Sequence, residues 1–77
     1  MTQVIIYTTP TCVYCKMTKE FFRSHNVAYG EKDVSIDEKA RDEMVEKSGQ
    51  LGVPVTDIDG QITIGFDEHR LFELLKL

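Results

Sequence analysis

Cys12 and Cys15 stand two residues apart and are the only two cysteines in the chain. A bridge between them closes almost no loop, so it removes little entropy from the unfolded chain and makes a poor staple. Secreted mini-proteins held by disulfides usually carry four or more cysteines closing long loops. In a compartment that keeps thiols reduced, a Cys-x-x-Cys pair points instead to thiol–disulfide exchange. The competing use of such a pair is half of a zinc site, which needs four ligands, commonly as two close pairs. His25 and His69 are the two histidines. They do not form a close pair, and each reads as a solvated helix residue.

The elements around the pair decide how it works. Val4-Ile5-Ile6-Tyr7-Thr8 is an apolar, β-branched run that fits a strand buried on both faces, and Thr9-Pro10-Thr11 breaks it. From Cys12 to about His25 the spacing turns helical, with Val13, Met17 and Phe21 recurring at four residues and Phe22 widening the stripe. Asn26 is the stop. Positions 28–34 read as a second strand, weakened by Gly30 and charged enough for a sheet edge. Ser35-Ile36-Asp37-Glu38 offers a capping box for a second helix, with Asp37 as a rival cap and Gly49 as the stop. Ala40, Met44 and Val45 form its narrow apolar stripe, and Glu43 and Lys47 make a favourable i,i+4 pair. The acidic run from Asp37 to Glu46 reads as that helix's solvated face. Positions 53–58 and 61–64 flank Asp59-Gly60, a strong hairpin signal. A last helix starts at Asp67 and buries Leu71, Leu74 and Leu75 with Phe72 beside them.

The order is βαβαββα. A first βαβ unit implies a parallel pair and the hairpin adds antiparallel strands. An α/β fold follows, with a mixed four-stranded sheet and helices on both faces, in one domain over 1–77. Asp57 falls inside the third, central strand. Buried there it would need a partner, and a partly hydrated carboxylate near a strand end is the simpler reading.

At 77 residues the chain has room for one core and one site. Its net charge of -4 argues against nucleic acid as the main ligand, since phosphate binding needs a basic surface. The early apolar stretch is too short for a signal-peptide core or a membrane span, so the chain reads as cytoplasmic.

Cys12 falls where the first strand's loop becomes the first helix. Unpaired backbone N–H groups and the positive dipole end favour an anion there, so a Cys12 thiolate is stabilised. Lys16 and Lys19, one and two turns on, add weak support of the same sign. Cys15 lies one turn along the same surface, at a separation that a disulfide spans. Cys12 is then the exposed nucleophile that attacks a substrate disulfide, and Cys15 the shielded thiol that resolves the mixed disulfide.

At this point the chain resembles the glutaredoxin family of the thioredoxin fold, end to end, close to its short glutaredoxin-like and NrdH-type members. Cys12-Val13-Tyr14-Cys15 is similar to the family's Cys-Pro-Tyr-Cys, and Gly52-Val53-Pro54 to its Thr-Val-Pro. Gly65-Phe66-Asp67-Glu68 stands in place of its Gly-Gly-x-Asp-Asp. The resemblance implies a dithiol thiol–disulfide oxidoreductase acting on protein disulfides or glutathione mixed disulfides. It implies no bound cofactor, glutathione as co-substrate, and a monomer that binds neither nucleic acid nor membrane. It also implies a cis Val53–Pro54 bond that sets the Val53 backbone beside Cys12 for a strand-like thiol peptide. A γ-glutamyl carboxylate would meet the amides of Phe66 and Asp67, its ammonium the Asp67 carboxylate, and Tyr14 would flank the bound thiol. From the residues alone, Pro54 reads as a strand's first residue and Asp67 as an N-cap.

The departures concern the reductant. Thr9 stands where glutathione-binding members often carry lysine, and Gln50 where a basic residue can meet the glycyl carboxylate. Phe66 replaces the second glycine, as in NrdH-type redoxins, which thioredoxin reductase reduces. Val13 replaces the motif's proline. An alternative implied by the family is a [2Fe–2S] cluster held between two subunits by the first cysteine and glutathione. Members of that kind usually have small residues inside the motif, where this chain has Val13 and Tyr14.

Overall fold

In the computed structural model, which describes residues 2–77, the first apolar run forms strand β1, Val4–Thr8. A helix α1, Val13–Ser24, crosses over to strand β2, Gly30–Asp33, which pairs parallel to β1 with Ile5 opposite Gly30 and Thr8 opposite Asp33. Helix α2, Glu38–Ser48, follows. Strands β3, Val55–Ile58, and β4, Gln61–Ile64, form an antiparallel hairpin, and helix α3, Glu68–Leu75, closes the chain. The sheet order is β2-β1-β3-β4, so the charged β2 is an edge and β1 is central. Asp59 and Gly60 both adopt positive φ at the hairpin turn, 51° and 90°, the geometry that matches the strands' right-handed twist.

The pleat of β1 divides the core. Val4 and Ile6 face Phe21, Phe22, Ile58 and Leu71 beneath α1 and α3. Tyr7 faces Val34, Ala40, Met44 and Val55 beneath α2. Helices therefore cover both faces of the mixed sheet, the βαβαββα arrangement anticipated above.

Several local expectations are corrected. Asp37 caps α2, accepting the Ala40 N–H at 3.0 Å. The box opening at Ser35 does not form, because Asp33 Oδ1 accepts both the Ser35 N–H at 2.9 Å and its hydroxyl at 2.5 Å. In α1, Val13 and Met17 are exposed, and the buried stripe is Cys15, Thr18, Phe21 and Phe22. The four-residue repeat of Val13, Met17 and Phe21 marks a neighbouring face of the helix.

Asp57 does stand near a strand end, one residue before the close of β3, but its carboxylate is paired. It is 8% exposed, and its oxygens accept from Lys47 Nζ at 2.7 Å and from the Gly60 N–H at 2.8 Å. The acidic face of α2 is also more than solvated surface. Glu43 accepts from the Tyr7 hydroxyl and from Lys32 at 2.9 Å, and Lys47 lies 3.5 Å away. Lys47 also donates to the Tyr7 oxygen at 3.2 Å, so one polar network ties α2 to β1, β2 and β3.

That network sets a pH dependence. The Tyr7 hydroxyl and Lys32 hold the Glu43 carboxyl down at about 2, against an ordinary value of 4.5. A depressed carboxyl contributes stability that is complete above its unfolded value and is lost as pH falls toward its folded one. Unfolding by urea at pH 7, 4 and 3 should therefore show wild-type stability falling through this window. Glu43→Gln should start lower at pH 7 and fall less steeply.

Candidate active site

β1 delivers the chain through Thr9-Pro10-Thr11 to Cys12, which takes an extended conformation (φ -85°, ψ 114°) and caps α1. Its sulfur accepts the Cys15 N–H at 3.1 Å. The thiol form can donate to the Val53 carbonyl at 3.8 Å. The sulfur thus sits among the unpaired amides and positive dipole end of α1, as the strand–loop–helix reading required. Both cysteines are free, Cys12 partly exposed and Cys15 1% exposed.

The two sulfurs are chemically unlike. Burial, followed by the hydrogen bond with Cys12, pushes the Cys15 thiol up to about 12, against the opposing pull of the Thr9 backbone amide and the Lys19 charge. Lys19 does not reach out to solvent but pairs with Glu31 at 2.9 Å. In the fold the Lys19 charge bears on Cys15. The same Glu31 oxygen accepts from the Thr8 hydroxyl at 2.7 Å. From the sequence alone Glu31 is one of the charges of an edge strand. Nothing local signals its partners, which come from the parallel pairing of β1 and β2 and from the crossover helix.

The other walls fall as follows. Val53–Pro54 is a cis peptide bond, with Pro54 buried and the Val53 carbonyl turned to Cys12. The Gly65 N–H donates to the Pro54 carbonyl at 2.8 Å and brings the start of α3 toward this loop. Asp67 is exposed and caps α3, its Oδ1 accepting the Arg70 N–H at 3.1 Å. Phe66 is half-buried and stacks edge-on against Phe21, with ring centroids 6.1 Å apart. It lines an open groove of about 380 Å³ with Met17, Phe21, Glu20 and Glu68. Tyr14, 61% exposed, flanks the cap with Val13. Gln50 is occupied: its amide accepts the Gly52 N–H at 2.7 Å and donates to the Gly52 carbonyl at 2.9 Å. Among the described residues, no three His, Cys, Asp or Glu side chains gather as a metal site.

A strand that hands its chain to a helix through a Cys-x-x-Cys cap, facing a cis-proline loop, places the molecule among the thiol–disulfide redox proteins of the thioredoxin fold. The glutaredoxin family model matches residues 4–63, and the chain belongs to that family. It is 45% identical over 71 residues to a glutaredoxin-like 8.6 kDa protein of the Clostridium pasteurianum rubredoxin operon, covering 92% of this chain and 95% of that one. It is 32% identical over 74 residues to the glutaredoxin-like protein NrdH of Lactococcus lactis subsp. cremoris, covering 96% and 97% of the two chains. The crystal structure of the thioredoxin-like protein BC3987 superposes with a TM-score of 0.88 at 36% identity, covering 94% of this chain and 99% of that one. No helix among the described residues is long and apolar enough to cross a membrane.

The asymmetry of the pair is directly measurable. At pH 8 a thiol held at about 12 is ionised to only about one part in 10⁴. Iodoacetamide at that pH should therefore add one group per folded chain, at Cys12, as read by peptide mass spectrometry. The second should follow only on unfolding.

Proposed function

We propose that this protein is a dithiol oxidoreductase that reduces protein disulfides, or mixed disulfides of proteins with glutathione. The observation that carries the reading is the unequal pair: a reachable sulfur that accepts a helix amide, backed by a buried thiol three residues on. The Cys12 thiolate attacks one sulfur of the substrate disulfide. The Cys12–substrate bond forms, the substrate S–S bond breaks, and the departing thiolate takes a proton from water. Cys15 then loses its proton and attacks the Cys12 sulfur, closing the Cys12–Cys15 disulfide and releasing the second substrate thiol. Two electrons pass from the protein to the substrate. In this reading Val53 presents its backbone to an extended thiol peptide, while Pro54, Tyr14, Phe66 and Asp67 line its path.

A reductant must return the two electrons, and the candidates are glutathione and thioredoxin reductase. Two observations favour thioredoxin reductase. Gln50 is closed on Gly52, and Thr9 offers no cation to an anionic tripeptide. The chemistry suits the reducing cytoplasm. No resident cofactor enters any step.

Cys12→Ser should lower disulfide reduction by a factor of about 10³ or more, because no other sulfur can begin the reaction. Cys15→Ser should accumulate a substrate adduct on Cys12, visible by intact mass. A Cys15→Ser protein that no longer attacks at all would sink the role assignment. Reduction of the oxidised protein is then followed with NADPH and either glutathione plus glutathione reductase or thioredoxin reductase. Turnover with thioredoxin reductase alone is the expected result.

A further inference from the structure

The second step of the proposed reaction sets a problem that the mouth of the site does not solve. Cys15 must become an anion while 1% exposed, and burial strongly disfavours a charged sulfur. While Cys12 is a free thiol or thiolate it also holds the Cys15 proton in place. In the mixed disulfide Cys12 bears no charge and that obstacle is gone, but burial remains. Two groups oppose burial. The Thr9 amide is one group, and Lys19 is the other.

Lys19 lies four residues after Cys15, so the two share one face of α1. Its ammonium is not a free surface charge. It stands 2.9 Å from a Glu31 oxygen that also accepts the hydroxyl of Thr8 at 2.7 Å, and Thr8 is buried at the end of β1. Strand and helix thus pin a cation on the Cys15 side of α1, with 27% of the lysine side chain exposed.

The other charged groups are accounted for. Cys12 faces Cys15 from the cap, and Glu31 faces Lys19 from β2. Asp33 bears on Glu31, and Tyr29 on Lys19. Among the described groups bearing on Cys15, Lys19 is the one that brings a positive charge.

We propose that Lys19, pinned by Glu31 and Thr8, is the positioning residue that lets Cys15 ionise for the resolving attack. It takes up no proton and makes no bond. The proton passes from Cys15 to water, the Cys15–Cys12 bond forms, and the substrate thiolate departs. Lys19 lowers the cost of the intervening Cys15 anion, and Glu31 keeps that charge in place.

The inference rests on the dithiol reading, and one experiment separates them. The reduced protein is mixed in stopped flow with dithiobis(nitrobenzoate), an aromatic disulfide that releases a coloured thiolate at each step. The first equivalent reports attack by Cys12 and the second reports resolution by Cys15. Lys19→Met should slow the second phase by about three- to tenfold at neutral pH and move its pH–rate profile to higher pH. Lys19→Arg, which keeps the charge and the partner, should restore both. If the Met variant does not fold, Lys19→Gln takes its place. A second phase with wild-type rate and profile overturns the proposal, as does a slowing that is equal at every pH. Two equivalents released by Cys15→Ser would instead overturn the dithiol reading itself.

Discussion

One hydrogen bond organises the site: the Cys15 N–H donated to the Cys12 sulfur at 3.1 Å. A helix must satisfy its first amides, and Ser, Thr, Asp or Asn usually does so. Here a cysteine takes that place, so one atom is both the helix cap and the reactive sulfur. The sulfur is a better acceptor as an anion than as a disulfide. The cap of α1 is therefore stronger with Cys12 reduced than with its sulfur in a disulfide, so helix and redox pair share one atom. The position of that cap depends in turn on β1, which is central in the sheet and ends at Thr8 immediately before the loop.

Helix α1 carries two tasks on two faces. Cys15, Thr18 and Phe22 are buried on one face, where Phe22 packs with Val4 and Ile6 of β1 and the second thiol is shielded. Val13, Tyr14 and Met17 are left exposed on the other, an apolar rim around the cap. The opposite wall is steadied from behind. Pro54 leads directly into β3, whose four residues are all buried, and Asp57 in that strand is fixed to α2 by Lys47. The ion pair is remote in sequence from the cysteines, yet it anchors the strand that follows the Val53 carbonyl.

The sequence made the local features legible because their causes are local. The Asp59-Gly60 turn, the Gly49 stop with its φ of 75° and the Asp67 cap are each written in one or two residues. The cysteine pair was legible for the same reason: its spacing carries its chemistry. What escaped was set by side-chain contacts that spacing does not rank, some local and some between elements. Ser35 and Asp37 are both plausible caps, and the Asp33 side chain, which captures Ser35, decides between them. Val13, Met17 and Phe21 make a sound helical stripe on paper. The buried face is nevertheless the neighbouring one, because Phe22 packs with Val4 and Ile6 of β1 and brings Cys15 and Thr18 inward with it. Asp57 could not be placed until Lys47, ten residues earlier, was brought over it.

Phe66 shows how a departure from the family pattern can be absorbed by the backbone beside it. A phenylalanine in place of the second glycine would be expected to crowd the start of α3. Gly65, however, adopts a positive φ of 75°, and the chain turns there so that the Phe66 ring rests against Phe21. The added bulk joins the edge of the core and lines the groove beside α1. Asp67 meanwhile uses one oxygen to cap α3. The N-terminus of α3 thus keeps its dipole, while no cation stands at Thr9 or Gln50 to assist it. An anionic ligand approaching this side would be held by neutral backbone donors on a protein of net charge -4, with Gln50 already committed to its own loop. The Phe66 ring and the closed Gln50 loop thus shape this side of the site, and both follow from where two side chains turn rather than from the motif itself.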